Sequence, residues 1–241
     1  MTTPPQAVNQ TGFRPWSPDQ TTVTTLMLVR HGVTEHTEQK LFSSGLSGAN
    51  PGLTEAGREQ VRATGRWLTP IATSVAGLVS SPVRRTDESA QILSDYLGSP
   101  VTHEPGIAEM DFGEWDGRSF ADVWESQADE LVDWLGSPEG RAGGGESLND
   151  VRRRVLAGRD LIIDRHRGTT VVVVSHVTPI KVLVADALGA PWESLRRMEL
   201  SPAGVSVINY FDQGPDGQPM ASLRVFNARP TEAMFTEHHR H

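Results

Sequence analysis

Apolar residues in this chain fall into short runs, separated by stretches in which they recur at helical spacing. Residues 25–29 include Leu26, Met27, Leu28 and Val29 and stop abruptly at Arg30-His31-Gly32, which predicts a strand running into a loop. Residues 54–68 predict a helix with Thr54 as its N-cap and Val61, Gly65 and Leu68 on one face. A second buried strand is expected over 76–80, then a helix over 84–97 ending near Gly98 with Pro100 just beyond. Ser147 caps the next helix, with Asp150 as a capping-box acid, an apolar stripe of Leu148, Val151, Val155 and Ile162, and Gly168 as its C′ residue. The run at 170–174 contains four valines in succession and is apolar on both faces, as a central parallel strand must be. A helix over about 179–188 follows. Runs at 205–210 and 223–226 flank the turn-rich 213–217 and predict a hairpin.

This alternation argues for an α/β fold with a doubly wound, mostly parallel sheet flanked by helices and one antiparallel edge. Residues 1–22 are rich in Pro, Thr and Gln without hydrophobic period, so they are expected to be a tail or linker, with Phe13 and Trp16 available to pin it. Residues 230–241 are expected to be a loose end whose histidines are solvated rather than metal-binding. The domain is therefore expected to span 23–229.

Composition narrows the function. A net charge of −8, from 22 basic and 30 acidic side chains, disfavours a general nucleic-acid or anionic-membrane surface. With no cysteine, disulfides, thiolate metal sites and cysteine nucleophiles are excluded. No apolar run approaches the roughly 20 residues that span a bilayer, and the N-terminus does not read as a signal peptide. The expectation is a cytoplasmic protein.

In doubly wound sheets, ligands bind where strand C-termini meet the following loops. Three such ends carry reactive side chains: Arg30-His31-Gly32, Ser80-Ser81-Pro82-Val83-Arg84-Arg85 and Ser175-His176. Guanidinium offers a planar fork of donors suited to phosphate oxygens, and imidazole can serve as base, ligand or nucleophile. Two arginines at a helix start are electrostatically costly unless an anion sits there. Neither a metal nor a cofactor is expected.

The run Leu28-Val29-Arg30-His31-Gly32-Val33-Thr34-Glu35 resembles the signature of the histidine phosphatase, or phosphoglycerate-mutase-like, superfamily. Further matches follow in order: 51–57 (PGLTEAG), 80–86 (SSPVRRT), 109–117 (EMDFGEWDG), 144–147 (GGES) and 174–176 (VSH). Within it, the chain is similar to the C-terminal acid-phosphatase domain of actinobacterial bifunctional ribonuclease H/acid phosphatases, and through them to α-ribazole-phosphate phosphatases. The resemblance implies His31 as the nucleophile that becomes phosphohistidine, Arg30, Arg85 and His176 as the phosphate pocket, and Glu109 as general acid and base. Asp111, Glu114 and Asp116 are weaker candidates for that last task. Thr37 and Leu41 stand where many relatives have Asn and Arg, and the uncharged loop 42–50 leaves Ser43, Ser44 and backbone N–H groups to replace the absent phosphate contact.

The implied activity is a metal-independent phosphomonoesterase acting on a small phosphorylated substrate, with a ribonuclease H domain as a conceivable fused partner. A phosphoglycerate mutase is the alternative, and a catalytically weak binding domain is a third reading. The stretch 121–140 is acidic and without Lys or Arg, which counts against a mutase and points to an uncharged or apolar leaving group. Trp124 and Trp134 are expected either at the site entrance or on a core-facing helix face.

Overall fold

A computed structural model describes residues 21–214 and 217–230. The expected tails lie outside this range, apart from Thr21, Thr22 and Pro230, as does the tip of the hairpin at 215–216. Thr21 Oγ1 and the Thr22 N–H both donate to Asp212 Oδ1, at 2.7 and 2.8 Å, tying the start of the described chain to the sheet.

The strands are β1 (Val23–Arg30), β2 (Val75–Ser80), β3 (Val101–His103), β4 (Thr170–Ser175), β5 (Val205–Phe211) and β6 (Met220–Ala228). They form one sheet in the order β3-β2-β4-β1-β5-β6. Strands β3, β2, β4 and β1 pair in parallel, whereas β5 and β6 add an antiparallel edge. The fold is thus the mostly parallel α/β sheet with an antiparallel edge that the sequence pattern predicts.

Strand periodicity explains the two layers. Leu26, Leu28, Val171 and Val173 point to one face and join a core with Val151, Val155, Ile162 and Leu183. Met27, Val29, Val172 and Val174 point to the other and pack on Val61, Leu68, Leu93 and Leu97. The four valines of β4 are fully buried, and each buried valine side chain contributes about 1.5–3 kcal/mol relative to exposure.

Helices α1 (Glu35–Glu38), α2 (Glu55–Leu68), α3 (Arg84–Leu97), α4 (Phe120–Gly136), α5 (Leu148–Arg165) and α6 (Val177–Ala187) complete the chain. Thr54 caps α2 by accepting from the Gly57 N–H, and Ser147 and Asp150 form the expected capping box of α5. Gly98 closes α3 at φ 67°. Gly168 is displaced from its expected role: His166 is the C-cap of α5, and Gly168 takes φ 76° in the turn beyond.

Sequence periodicity did not reveal α4 or β3. Of α4's seventeen residues only Val123 and Leu131 are buried, and Gln127 departs from helical geometry at φ −143° and ψ 42°. At that break the Gln127 side-chain Oε1 accepts from the buried Trp115 indole N–H at 2.6 Å, with Arg118 donating to the same oxygen at 3.1 Å. A buried indole N–H needs an acceptor, so the helix bends to supply one.

Candidate active site

The parallel strands β2, β4 and β1 deliver their C-terminal ends side by side. Register pairs Arg30 with Ser175 and Ser80 with Val174, so the residues following each strand meet at one sheet edge. His31 follows β1, Ser81 follows β2, and His176 follows β4. Arg85 reaches the same place from the first turn of α3, a helix whose N-cap, Val83, provides no side-chain acceptor. The neighbouring Arg84 turns outward instead and pairs with Glu88 at 2.8 Å, so only one of the two arginines serves the site.

His31 is 5% exposed and its tautomer is fixed by geometry. Nδ1 lies 2.7 Å from the Gly32 carbonyl oxygen, an acceptor only, so Nδ1 carries the proton. Nε2 then presents its lone pair, and Arg85 Nε–H donates to it at 3.3 Å. Arg85 Nη2 is held by the carbonyls of Ser43 and Ser44 at 3.2 and 2.9 Å. Arg30 Nη1 is held by the Leu200 carbonyl. The ring of His176 sits edge-on to His31, centroids 5.3 Å apart, with its Nε2 2.9 Å from Ser81 Oγ. Three buried polar atoms of this group, Arg30 Nε, Arg85 Nη1 and His176 Nδ1, have no hydrogen-bond partner among the described residues. Buried donors converging in this way suit a ligand that accepts from several directions, as a tetrahedral anion does.

Charge reinforces the point. Burial lowers the pKa of Arg30 to about 10, opposed by Glu109 and assisted by Arg85. Burial likewise lowers Arg85 to about 10, opposed by Glu109 and Asp116. Both remain cationic at neutral pH, so the cavity holds fixed positive charge where an anion would rest. His31 is driven well below the ordinary histidine value by burial, then by Arg85 and Arg30. Burial, Arg85 and His31 do the same to His176. Below about pH 6.5 the unfolded chain therefore binds protons at both imidazoles that the native state refuses. Their neutrality contributes stability that is complete above that pH and is lost as pH falls toward the depressed native values. The expected result is a lower urea midpoint at about pH 5.5 than at about pH 7.5, with the difference reduced in His176→Gln. An unchanged difference would show that other groups carry the acid sensitivity.

Glu109, 7% exposed, faces His31 across a cavity of about 480 Å3. Its Oε1 accepts from the Met110 N–H at 2.8 Å and Oε2 from the Thr178 N–H at 3.4 Å, at the start of α6. Arg154, overlooked in the sequence, clamps the strap that carries it. Its guanidinium donates to the carbonyls of Gly106, Ala108 and Glu109 and pairs in bidentate fashion with Glu146, both contacts at 2.7 Å. Gly45 lies flat against the same strap; a Cβ there would come within 2.5 Å of the Glu109 carbonyl oxygen.

The two serines diverge. Ser43 lines the cavity, with Oγ 3.1 Å from His36 Nδ1. Ser44 is fully buried and its hydroxyl accepts from the Phe112 N–H at 3.0 Å, so its side chain holds the 109–112 strap while its carbonyl holds Arg85. Thr37, Lys40 and His36 also line the cavity; the last two bring basic groups close to the position of the uncharged Leu41. Asp116 accepts from the Ser44 and Ala49 N–H groups, Asp111 from that of Gly113, and Glu114 is exposed, leaving Glu109 as the carboxylate on the cavity wall. Trp134 packs among Phe42, Phe112 and Trp115, whereas Trp124 is 51% exposed. Among the described residues no group of three or more His, Asp or Glu side chains is placed to hold a metal ion, and no helix is long and apolar enough to cross a membrane.

Comparison with known proteins places this geometry. The chain is 40% identical over 212 residues to the bifunctional protein Rv2228c of Mycobacterium tuberculosis, a match covering 88% of this chain and 56% of that one. The chain thus spans little more than half the length of that relative. It is 30% identical over 185 residues to phosphoserine phosphatase 1 of Hydrogenobacter thermophilus, covering 76% and 85% of the two chains. The crystal structure of the α-ribazole phosphatase from Shigella flexneri superposes with a TM-score of 0.72 at 26% identity, over 85% of this chain and 96% of that one. The family model of the histidine phosphatase superfamily (branch 1) matches residues 26–221, the span that carries every group of the cavity described above, and the chain belongs to that family.

Proposed function

We propose that this protein is a metal-independent phosphomonoesterase that hydrolyses a small phosphorylated metabolite through a phosphohistidine at His31. The observation that carries the reading is the lone pair of His31 Nε2, fixed by the Nδ1–Gly32 bond and surrounded by partnerless buried donors of Arg30, Arg85 and His176. A phosphoryl group seated there accepts from both guanidiniums. With the Ser81 hydroxyl donating to His176 Nε2, Nδ1 of that ring carries a proton for a third oxygen. These donors neutralise the equatorial oxygens, where phosphoryl transfer concentrates charge.

In the first step His31 Nε2 forms a bond to phosphorus as the bond to the ester oxygen breaks, and the proton of Glu109 goes to that oxygen. In the second, the Glu109 carboxylate takes a proton from water, the water oxygen attacks phosphorus and the N–P bond breaks, which releases phosphate and returns both side chains to their starting states. Ser43, on the cavity wall, is positioned to add a contact, while Ser44 acts through its carbonyl on Arg85.

The test is phosphate release from p-nitrophenyl phosphate in excess chelator. Full activity is expected. Strict dependence on added metal would refute the mechanism, and isomerisation of 3-phosphoglycerate outpacing phosphate release would establish the mutase instead.

A further inference from the structure

The catalytic cavity does not end at Glu109. Phe42, Phe112, Val177 and Thr178 form the boundary between it and a second cavity of about 260 Å3. The far walls of this second space are apolar and aromatic. Trp134 stands edge-on to Phe42 and Phe112, centroids 6.0 and 6.5 Å apart, and Trp192 also lines the space. Two cations interrupt those walls. Lys181 lies three residues after Thr178 on α6, which puts it on the face that touches Glu109. Arg196 lays its guanidinium over the Trp192 ring at 5.0 Å from the centroid. Burial pushes the Lys181 ammonium below its usual value, and the Arg30 charge adds to this, while Glu109 and Glu199 oppose it. A negative group on a bound molecule would offset that burial.

We infer that the second cavity receives the leaving group of the substrate, and that this group is a flat aromatic moiety ending in an anion, such as a carboxylate, which Lys181 and Arg196 recognise. The inference rests on the phosphatase reading for the direction in which the ester points. Continuity supplies the route: a phosphoryl group at His31 directs its ester oxygen to Glu109, and Glu109 borders Thr178, from which the aromatic space opens. Apolar walls select a ring, since ligand cavities are lined by apolar side chains with a few polar groups that fix orientation. The cations set its charge. The acidic stretch 121–140 suggested an uncharged leaving group, but the cations that face this space come from α6 and the segment after it.

The experiment compares kcat/KM for 4-carboxybenzyl phosphate, benzyl phosphate and 3-phosphoglycerate, in the wild type and in Lys181→Met and Lys181→Arg. The carboxybenzyl ester is expected to be the best of the three, with an advantage over benzyl phosphate of about tenfold, appropriate to one charge-assisted hydrogen bond. Lys181→Met should erase that ratio through KM, and Lys181→Arg should restore most of it. A merely structural lysine would move all three substrates together. Equal turnover of the two benzyl esters, or 3-phosphoglycerate as the best substrate, would overturn the inference. Calorimetric titration of wild type with 4-carboxybenzylphosphonate and benzylphosphonate separates it from the phosphatase reading. Tighter binding of the carboxylate compound with no turnover of any ester would uphold the cavity assignment and refute the catalytic one. Weaker or equal binding would refute the cavity assignment.

Discussion

Replacing His31 by alanine should reduce phosphate release by on the order of 10⁴-fold or more, the usual scale for loss of a covalent nucleophile. The argument is geometric. Nε2 is the imidazole nitrogen left with a lone pair, and Arg85 approaches it directly at 3.3 Å. Without that nitrogen, water would have to attack in a cavity arranged around a different nucleophile. Arg30 and Arg85 remain, so the variant should still bind inorganic phosphate, and loss of rate without loss of binding separates chemistry from misfolding. Rapid acid or base quench of wild type with labelled substrate should show a protein-bound phosphoryl group that is labile to acid and stable to base. Activity within tenfold of wild type in His31→Ala would mean that water attacks directly and that His31 serves only to bind.

Glu109→Gln should cost on the order of 10²- to 10⁴-fold with an alkyl phosphate, the range for removal of a positioned general acid. The first step should suffer much less with p-nitrophenyl phosphate, because p-nitrophenolate departs without a proton. The second step still needs a base to activate water. The variant should therefore release a burst of p-nitrophenolate equivalent to the enzyme and then stall as phosphoenzyme. Glutamine keeps an oxygen for the Met110 N–H bond seen at 2.8 Å, so the strap should hold its shape. Equal losses with both substrates and no burst would reduce Glu109 to a positioning residue.

The centre of the molecule was legible because burial on both faces leaves a strong mark: four consecutive valines admit little but a central strand, and Arg30, His31 and His176 stand where such strands must end. Ser147 with Asp150, and Thr54 with the residues it caps, were legible for the same reason, since local backbone donors demand local acceptors. Glu109 was singled out only through motif resemblance, because a carboxylate on a loop has no periodicity; the structure places it on the cavity wall. Helix α4 was not legible, because it buries only two side chains and breaks at Gln127; the Trp115–Gln127 bond made there spans twelve positions and belongs to no helical period. Arg154 was hidden for a related reason: its carbonyl acceptors lie 45 to 48 residues away. The divergence of Ser43 from Ser44 depends on which way a loop faces, and adjacent residues of the same type carry no signal for that.

The division of labour between sheet and perimeter also bears on how this protein could be altered. The groups proposed to handle phosphate stand at strand ends and at the start of α3, in the buried centre of the protein, where each side chain is held by several neighbours. Trp192, Arg196 and much of α4 lie instead on half-buried or exposed surface outside the sheet. Changes at such positions usually perturb stability by less than about half a kcal/mol. On the proposed function, the rim can accordingly drift, by mutation or by design, through many leaving-group preferences while the phosphoryl chemistry stays intact, making this scaffold evolvable at its edge and conservative at its centre.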